Sequence, residues 1–76
     1  MFVELLTPDK TLFSGEAAVI SLPGVNGSFQ LLDSHAPMIA NLKAGSIEIK
    51  DNNQTQSFEI KSGLVEVLKN KVVVLV

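Results

Sequence analysis

Gly45-Ser46-Ile47-Glu48-Ile49-Lys50-Asp51-Asn52-Asn53 decides the fold. Ile47 and Ile49 alternate with Ser46, Glu48 and Lys50, which is the two-residue period of a strand with one buried and one solvated face. The Asp-Asn-Asn run that follows is turn chemistry, because these short polar side chains hydrogen-bond nearby backbone. Toward the C-terminus the pattern repeats. Phe58 and Ile60 alternate with Ser57, Glu59 and Lys61, Ser62-Gly63 turns the chain, and Leu64 to Leu68 and Lys71 to Val76 form a hairpin around Lys69-Asn70.

Toward the N-terminus the pattern is less regular. Met38 to Leu42 and Phe29 to Leu32 are short apolar segments on either side of Ser34-His35-Ala36-Pro37. Pro37 disfavours helix at Ala36, so the chain enters Met38 extended. Phe2 to Leu6 is a strand, Thr7-Pro8-Asp9-Lys10 a turn in which Asp9 bonds its neighbours, and Leu12-Phe13 a short strand ended by Ser14-Gly15. Glu16 to Leu22 is a further strand with Ala18, Ile20 and Leu22 on one face. No stretch repeats apolar residues at i, i+3, i+4 and i+7, so no helix of consequence is expected. The fold class is all-β: a small two-sheet sandwich or flattened barrel of about eight to ten short strands, forming one domain over residues 1–76.

Composition narrows the function classes. Cysteine is absent and there is one histidine, so neither a disulfide framework nor a histidine-based metal site is expected. The eight acids are scattered singly along solvent faces rather than clustered, so no metal and no cofactor are expected. A net charge of -2, with six lysines and no arginine, argues against nucleic acid, which favours clustered cations and bidentate arginine. No apolar run approaches the ~18 residues of a membrane span, and the start Met1-Phe2-Val3-Glu4 lacks the basic region of a secretory signal. Direct membrane insertion is not expected. The sequons Asn26-Gly27-Ser28 and Asn53-Gln54-Thr55 are read as turns.

Two features remain. Val72 to Val76 and much of Phe2 to Leu6 are apolar on both faces, whereas a sandwich strand faces water on alternate residues. Either the two terminal segments cover each other or the outer face meets another protein. The irregular chemistry is concentrated between Leu22 and Pro37, which holds two glycines, two prolines and the histidine. Asp33-Ser34-His35 has the residue types of a triad, but adjacent residues of an extended chain point apart. Gly24-Val25-Asn26-Gly27 has no following lysine and opens no helix, so it lacks a phosphate cradle. His35 is expected to anchor the loop through its ring nitrogens or to face a partner.

Read end to end, the chain resembles the epsilon subunit of rotary ATP synthases, specifically its N-terminal β-sandwich domain, called delta in mitochondria. The resemblance rests on Leu6-Thr7-Pro8-Asp9 with Leu12-Phe13-Ser14-Gly15-Glu16, and on Leu22-Pro23-Gly24, Gly27, His35-Ala36-Pro37, Leu42 and Gly45. Phe58, Gly63-Leu64-Val65-Glu66-Val67 and Asn70-Lys71-Val72 complete it. It implies a non-catalytic central-stalk subunit that docks on the gamma subunit and the c-ring and couples proton-driven rotation to ATP synthesis. Such a subunit lies on the cytoplasmic face of the bacterial inner membrane as part of the complex.

By matched position, Val25, Asn26, Gly27 and Ser28 are the expected c-ring contact, with Phe29 anchoring that loop. His35, Ala40, Met38 and Glu66 are the expected gamma contacts. Two departures carry expectations of their own. Ser28 stands where the family commonly has an acid, so docking without that ion pair is expected; an exposed pair is worth only ~0 to 1 kcal/mol. Relatives commonly continue into a two-helix domain where this chain reaches Val76, so neither a brake on hydrolysis nor ATP sensing is expected of it. The alternative of a different class is a free-standing β-sandwich that binds a peptide or small ligand; a groove with exposed aromatics would favour it, yet tryptophan and tyrosine are absent and the four phenylalanines, Phe2 among them, are each expected in a core-like strand position. An enzyme is the third possibility.

Overall fold

The computed structural model describes residues 1–76 and contains nine strands and no helix. They are β1 (Phe2–Leu6), β2 (Thr11–Glu16), β3 (Val19–Gly24), β4 (Gly27–Leu32) and β5 (Met38–Leu42), then β6 (Gly45–Lys50), β7 (Thr55–Ile60), β8 (Gly63–Leu68) and β9 (Lys71–Leu75). Hydrogen bonding runs β2-β1-β9-β8-β5 and continues through β3-β6-β7, with β4 on the other edge of β3. The link between the two halves is slender. β5 and β3 meet only at Gly24 and Leu42, where Val25 N–H donates to Asn41 O and Lys43 N–H donates to Pro23 O. One sheet therefore folds back on itself at this corner, giving a five-stranded and a four-stranded layer over a shared core, which bears out the two-sheet all-β expectation.

The corner is built by residues that take up little space or lack an N–H. β3 pairs with β6 through Val19, Ile20 and Ser21, then leaves it as Pro23, which has no N–H to give. A Cβ on Gly24 would lie 2.6 Å from Gly27 O and 2.8 Å from Phe29 Cε1. A Cβ on Gly45 would lie 2.9 Å from Pro23 Cβ, so these two positions of the chain touch and leave no space for a methyl group. Gly27, in the hairpin between β3 and β4, has φ +130°, which a side chain would strain.

The core is apolar throughout: Val3, Leu5, Ile20, Leu22, Leu31, Ile47, Val65, Val72 and Val74 are essentially inaccessible, and no polar or charged side chain is buried. β8 and β9 meet at Lys69 and Asn70, both with positive φ (52° and 60°), the geometry of a tight hairpin. Ser34 N–H donates to Asn70 Oδ1 at 2.8 Å, tying the central loop to that hairpin. At the chain start the Met1 ammonium donates to Asp33 and to Ala17 O, and lies 3.4 Å from Glu16. The Asp33 carboxylate holds this amino group above its ordinary pKa, with Glu16 adding to the effect and burial opposing it.

Four expectations need correction. β2 runs through Gly15 to Glu16, and the chain turns at Ala17 and Ala18 before β3, so Ala18 is exposed while Ala17 is buried. In the first turn Thr7 Oγ1, not Asp9, accepts from the Asp9 and Lys10 amides. Phe2 faces outward, with the Lys71 ammonium 5.8 Å from its ring centre, because Val3 and Leu5 take the inward positions of β1. Finally, β1 and β9 pair side by side in parallel, so the terminal strands extend one sheet rather than cover each other. Leu6, Leu64, Val73 and Leu75 are left partly or fully exposed on that outer face.

Candidate functional site

The sandwich has two long sides where the layers come to an end. On one, Phe13 of β2 and Phe58 of β7 meet edge to face, ring centres 6.4 Å apart, and close the interior. A bulge in β2, opposite Leu5 and Leu6, lets consecutive Leu12 and Phe13 both pack on the core. On the other side β4 and β5 do not meet. A cleft of about 540 Å³ opens there between the hairpin tip and β5.

Its lining joins the two groups of residues singled out in the sequence. Val25, Asn26, Gly27 and Ser28 form one wall and Met38 and Ala40 the other, with Phe29 at the base. Phe29 is half-buried against the core, as expected of the loop's anchor. Val25 is 52% exposed although apolar. The path of the tip is set by Gly24, where a side chain would meet Gly27 O and the Phe29 ring, by the positive φ of Gly27, and by the hydrogen bond from Val25 N–H to Asn41 O across the cleft.

The remaining expected residues stand apart from the cleft. Glu66 is exposed on β8 opposite Ile39 and borders, with Met38, a shallower depression on the far side of β5. His35 is exposed in the central loop with Nδ1 2.8 Å from Ala36 O, a local anchor of the kind the sequence suggested, and it lines neither cavity. Asp33 and Ser34, its neighbours, are engaged with Met1 and Asn70 rather than with His35.

Ile39 and Asn41 were missed. Both lie on the lining of the cleft, and Ile39 is 66% exposed, more than any other large apolar residue of the chain. The signal was present in the strand period, because Met38, Ala40 and Leu42 turn inward and Ile39 must then turn out. The cleft holds no charged side chain, and no histidine or carboxylate lines it beside the Ser28 hydroxyl; its mixture of apolar side chains with Asn26, Ser28 and Asn41 suits it to contact with another protein.

Comparison with known proteins gives one family. The model of the ATP synthase, Delta/Epsilon chain, beta-sandwich domain matches residues 1–76. The ATP synthase epsilon chain of Chlorobium limicola is 38% identical over 74 residues, covering 96% of this chain and 84% of that one. The ATP synthase epsilon chain of Sulfurimonas denitrificans is 43% identical over 75 residues, covering 97% of this chain but 58% of its own length. The fold is shared with a chain of the Tetrahymena thermophila mitochondrial ATP synthase central stalk and c-ring structure, at a TM-score of 0.84 and 20% identity, over 97% of this chain and 60% of that one. A chain of the Euglena gracilis mitochondrial ATP synthase is similar at a TM-score of 0.89, over 96% and 48%. With a family match over its whole length and curated relatives above 30% identity, this chain belongs to the ATP synthase delta/epsilon family, as its β-sandwich domain, and is a non-catalytic accessory subunit.

Proposed function

We propose that this chain docks on the gamma subunit of the central stalk through the β5 side of the cleft and rests on the c-ring through the hairpin tip. Its family makes it a rotor-stalk subunit, and the work is mechanical. Proton-driven rotation of the ring passes through the sandwich to the stalk and onward to ATP synthesis. The observation that carries this reading is the shared cleft: Val25 to Ser28 and Met38 with Ala40, matched to two different partners, converge on one corner of the fold.

The physics suits that role. Passing torque between two partners needs a stiff body, and a close-packed apolar core with no buried polar side chain supplies one. The layers join at Pro23, Gly24 and Gly45, directly behind the tip, where the chain segments approach too closely to admit a Cβ on either glycine. An exposed Ser28 offers a hydrogen bond in place of a charge at the ring, a difference of ~1 kcal/mol or less. Within the assembled complex the chain sits peripherally at the cytoplasmic face of the bacterial inner membrane. None of its elements is a helix long and apolar enough to cross one.

Size-exclusion co-elution with the cognate gamma subunit tests the docking. A one-to-one complex is expected for the wild type and its loss for a His35→Ala, Ala40→Glu double variant. A wild-type chain that elutes alone beside folded gamma would overturn it.

A further inference from the structure

The cleft wall formed by β5 is an unfinished sheet edge. In an antiparallel ladder the backbone groups of successive residues point alternately to one neighbour and the other. Asn41 O accepts from Val25 N–H, so the backbone of Asn41 points toward the hairpin tip, and that of Ile39, two residues away, points to the same side. Met38, Ala40 and Leu42 then turn their backbone groups to Val67, Val65 and Gly63 of β8. The amide of Asn41 finds no partner in Val25 O, and neither backbone group of Ile39 bonds a turn or a side chain. Three consecutive ladder groups, Ile39 N–H, Ile39 C=O and Asn41 N–H, therefore open into the cleft.

Folded proteins blunt such edges with lysine, proline or bulges. Here Pro37, which has no N–H, bounds the edge at one end, and the Leu42–Gly24 pair bounds it at the other. Between them no charged residue interrupts Met38 to Asn41.

Resting on the docking reading above, we infer that the stalk partner binds by adding an extended strand of its own to β5. About three or four residues of extended chain, at ~3.3 Å each, span Met38 to Asn41. Their backbone completes the open hydrogen bonds. An apolar side chain on the inward face of the added strand fills the cleft against Phe29, Met38 and Ala40, and the outward face continues the exposed surface of Ile39. The occupant is thus an extended apolar segment of the gamma subunit, in contrast to a helix face, which has no free backbone groups to offer.

Amide hydrogen exchange of the full chain, alone and with folded gamma subunit, tests this. Free, the Ile39 and Asn41 amides should exchange quickly while those of Met38 and Ala40, bonded to β8, are protected. In the complex, exchange at Ile39 and Asn41 should slow by more than about tenfold. A second prediction separates backbone from side chain. Ile39→Pro, which removes the open N–H without touching the β8 ladder, should abolish the complex, whereas Ile39→Ala should weaken it by about tenfold or less. A complex in which these two amides stay unprotected, or in which Ile39→Pro binds like Ile39→Ala, overturns strand addition while leaving docking intact. Absence of any complex overturns the docking reading, and this inference with it. Protection that appears without gamma and grows with chain concentration would make the occupant a second copy of this chain and would overturn it too.

Discussion

The two long sides of the sandwich are made from similar materials and end differently. At the β2/β7 side, Phe13 and Phe58 meet each other, and their contact seals the interior. At the β4/β5 side, Phe29 packs on the core from one layer only and faces Met38 and Ala40 across a cleft. The first side has spent its aromatic surface inside the molecule, and the second keeps apolar surface and backbone hydrogen bonds for something outside it. Closure is therefore a stability device on one side, and its absence is a binding device on the other.

That contrast can be broken from either side. Phe58→Ala removes half of the seal and should destabilise the chain by roughly 3 kcal/mol, lowering the thermal midpoint by more than ~10 °C while gamma binding by the folded fraction persists. Calorimetric melting with and without gamma checks both parts. Gly24→Ala forces a methyl group against Gly27 O and the Phe29 ring, and should cost about 1–3 kcal/mol through overpacking at the corner. Unlike Phe58→Ala it should also reduce docking, because the displaced tip forms a wall of the cleft. Ala40→Glu should move the melting midpoint by only a few degrees, since the cleft gives the longer side chain an outlet to water, yet abolish co-elution with gamma.

The smallest effects belong to ion pairs outside the cleft and outside the Phe13–Phe58 contact. The raised pKa of the Met1 amino group means its pairing with Asp33 and Glu16 is fully present below the ordinary value of 8.0 and is lost as pH climbs through the higher folded value. Stability should accordingly decline above about pH 8, and Asp33→Asn should flatten that decline in melts run from pH 7 to 10. Lys71→Ala, which removes a 3.3 Å pair with Glu4 and the contact over Phe2, should cost no more than about 1 kcal/mol.

How much of this could be read from the chain depends on whether a residue's environment is local. β6 and β7 were legible because one face of each alternates with the other, and a strand period needs no knowledge of partners; β5, β8 and β9 were legible as short apolar runs bounded by turn residues. The β2/β3 boundary was not, because Ala17 and Ala18 are too small for hydropathy to say which is buried. The parallel pairing of β1 with β9 joins the two ends of the sequence and leaves no local mark. The clamp of Met1 on Asp33, 32 residues away, is equally silent. Among site residues, the glycines marked Val25 to Ser28 as a turn, while its role as a contact, like those of Met38 and Ala40, came from the family resemblance. The convergence of the two on one cleft appears only when Gly24 and Leu42 pair. Ile39 was legible and overlooked; an apolar residue at an outward strand position reads as ordinary until the neighbouring edge is known to be open.

The most direct test uses the chain's lack of cysteine. Single cysteines placed at Val25 and Ile39 on the open side, and at Ser57 on the sealed side, can be cross-linked within the assembled ATP synthase. Val25→Cys should give products with the c-ring and Ile39→Cys with gamma, while Ser57→Cys should give none. Cross-linking from Ser57→Cys to either partner, with the open side unreactive, would contradict docking through the open side.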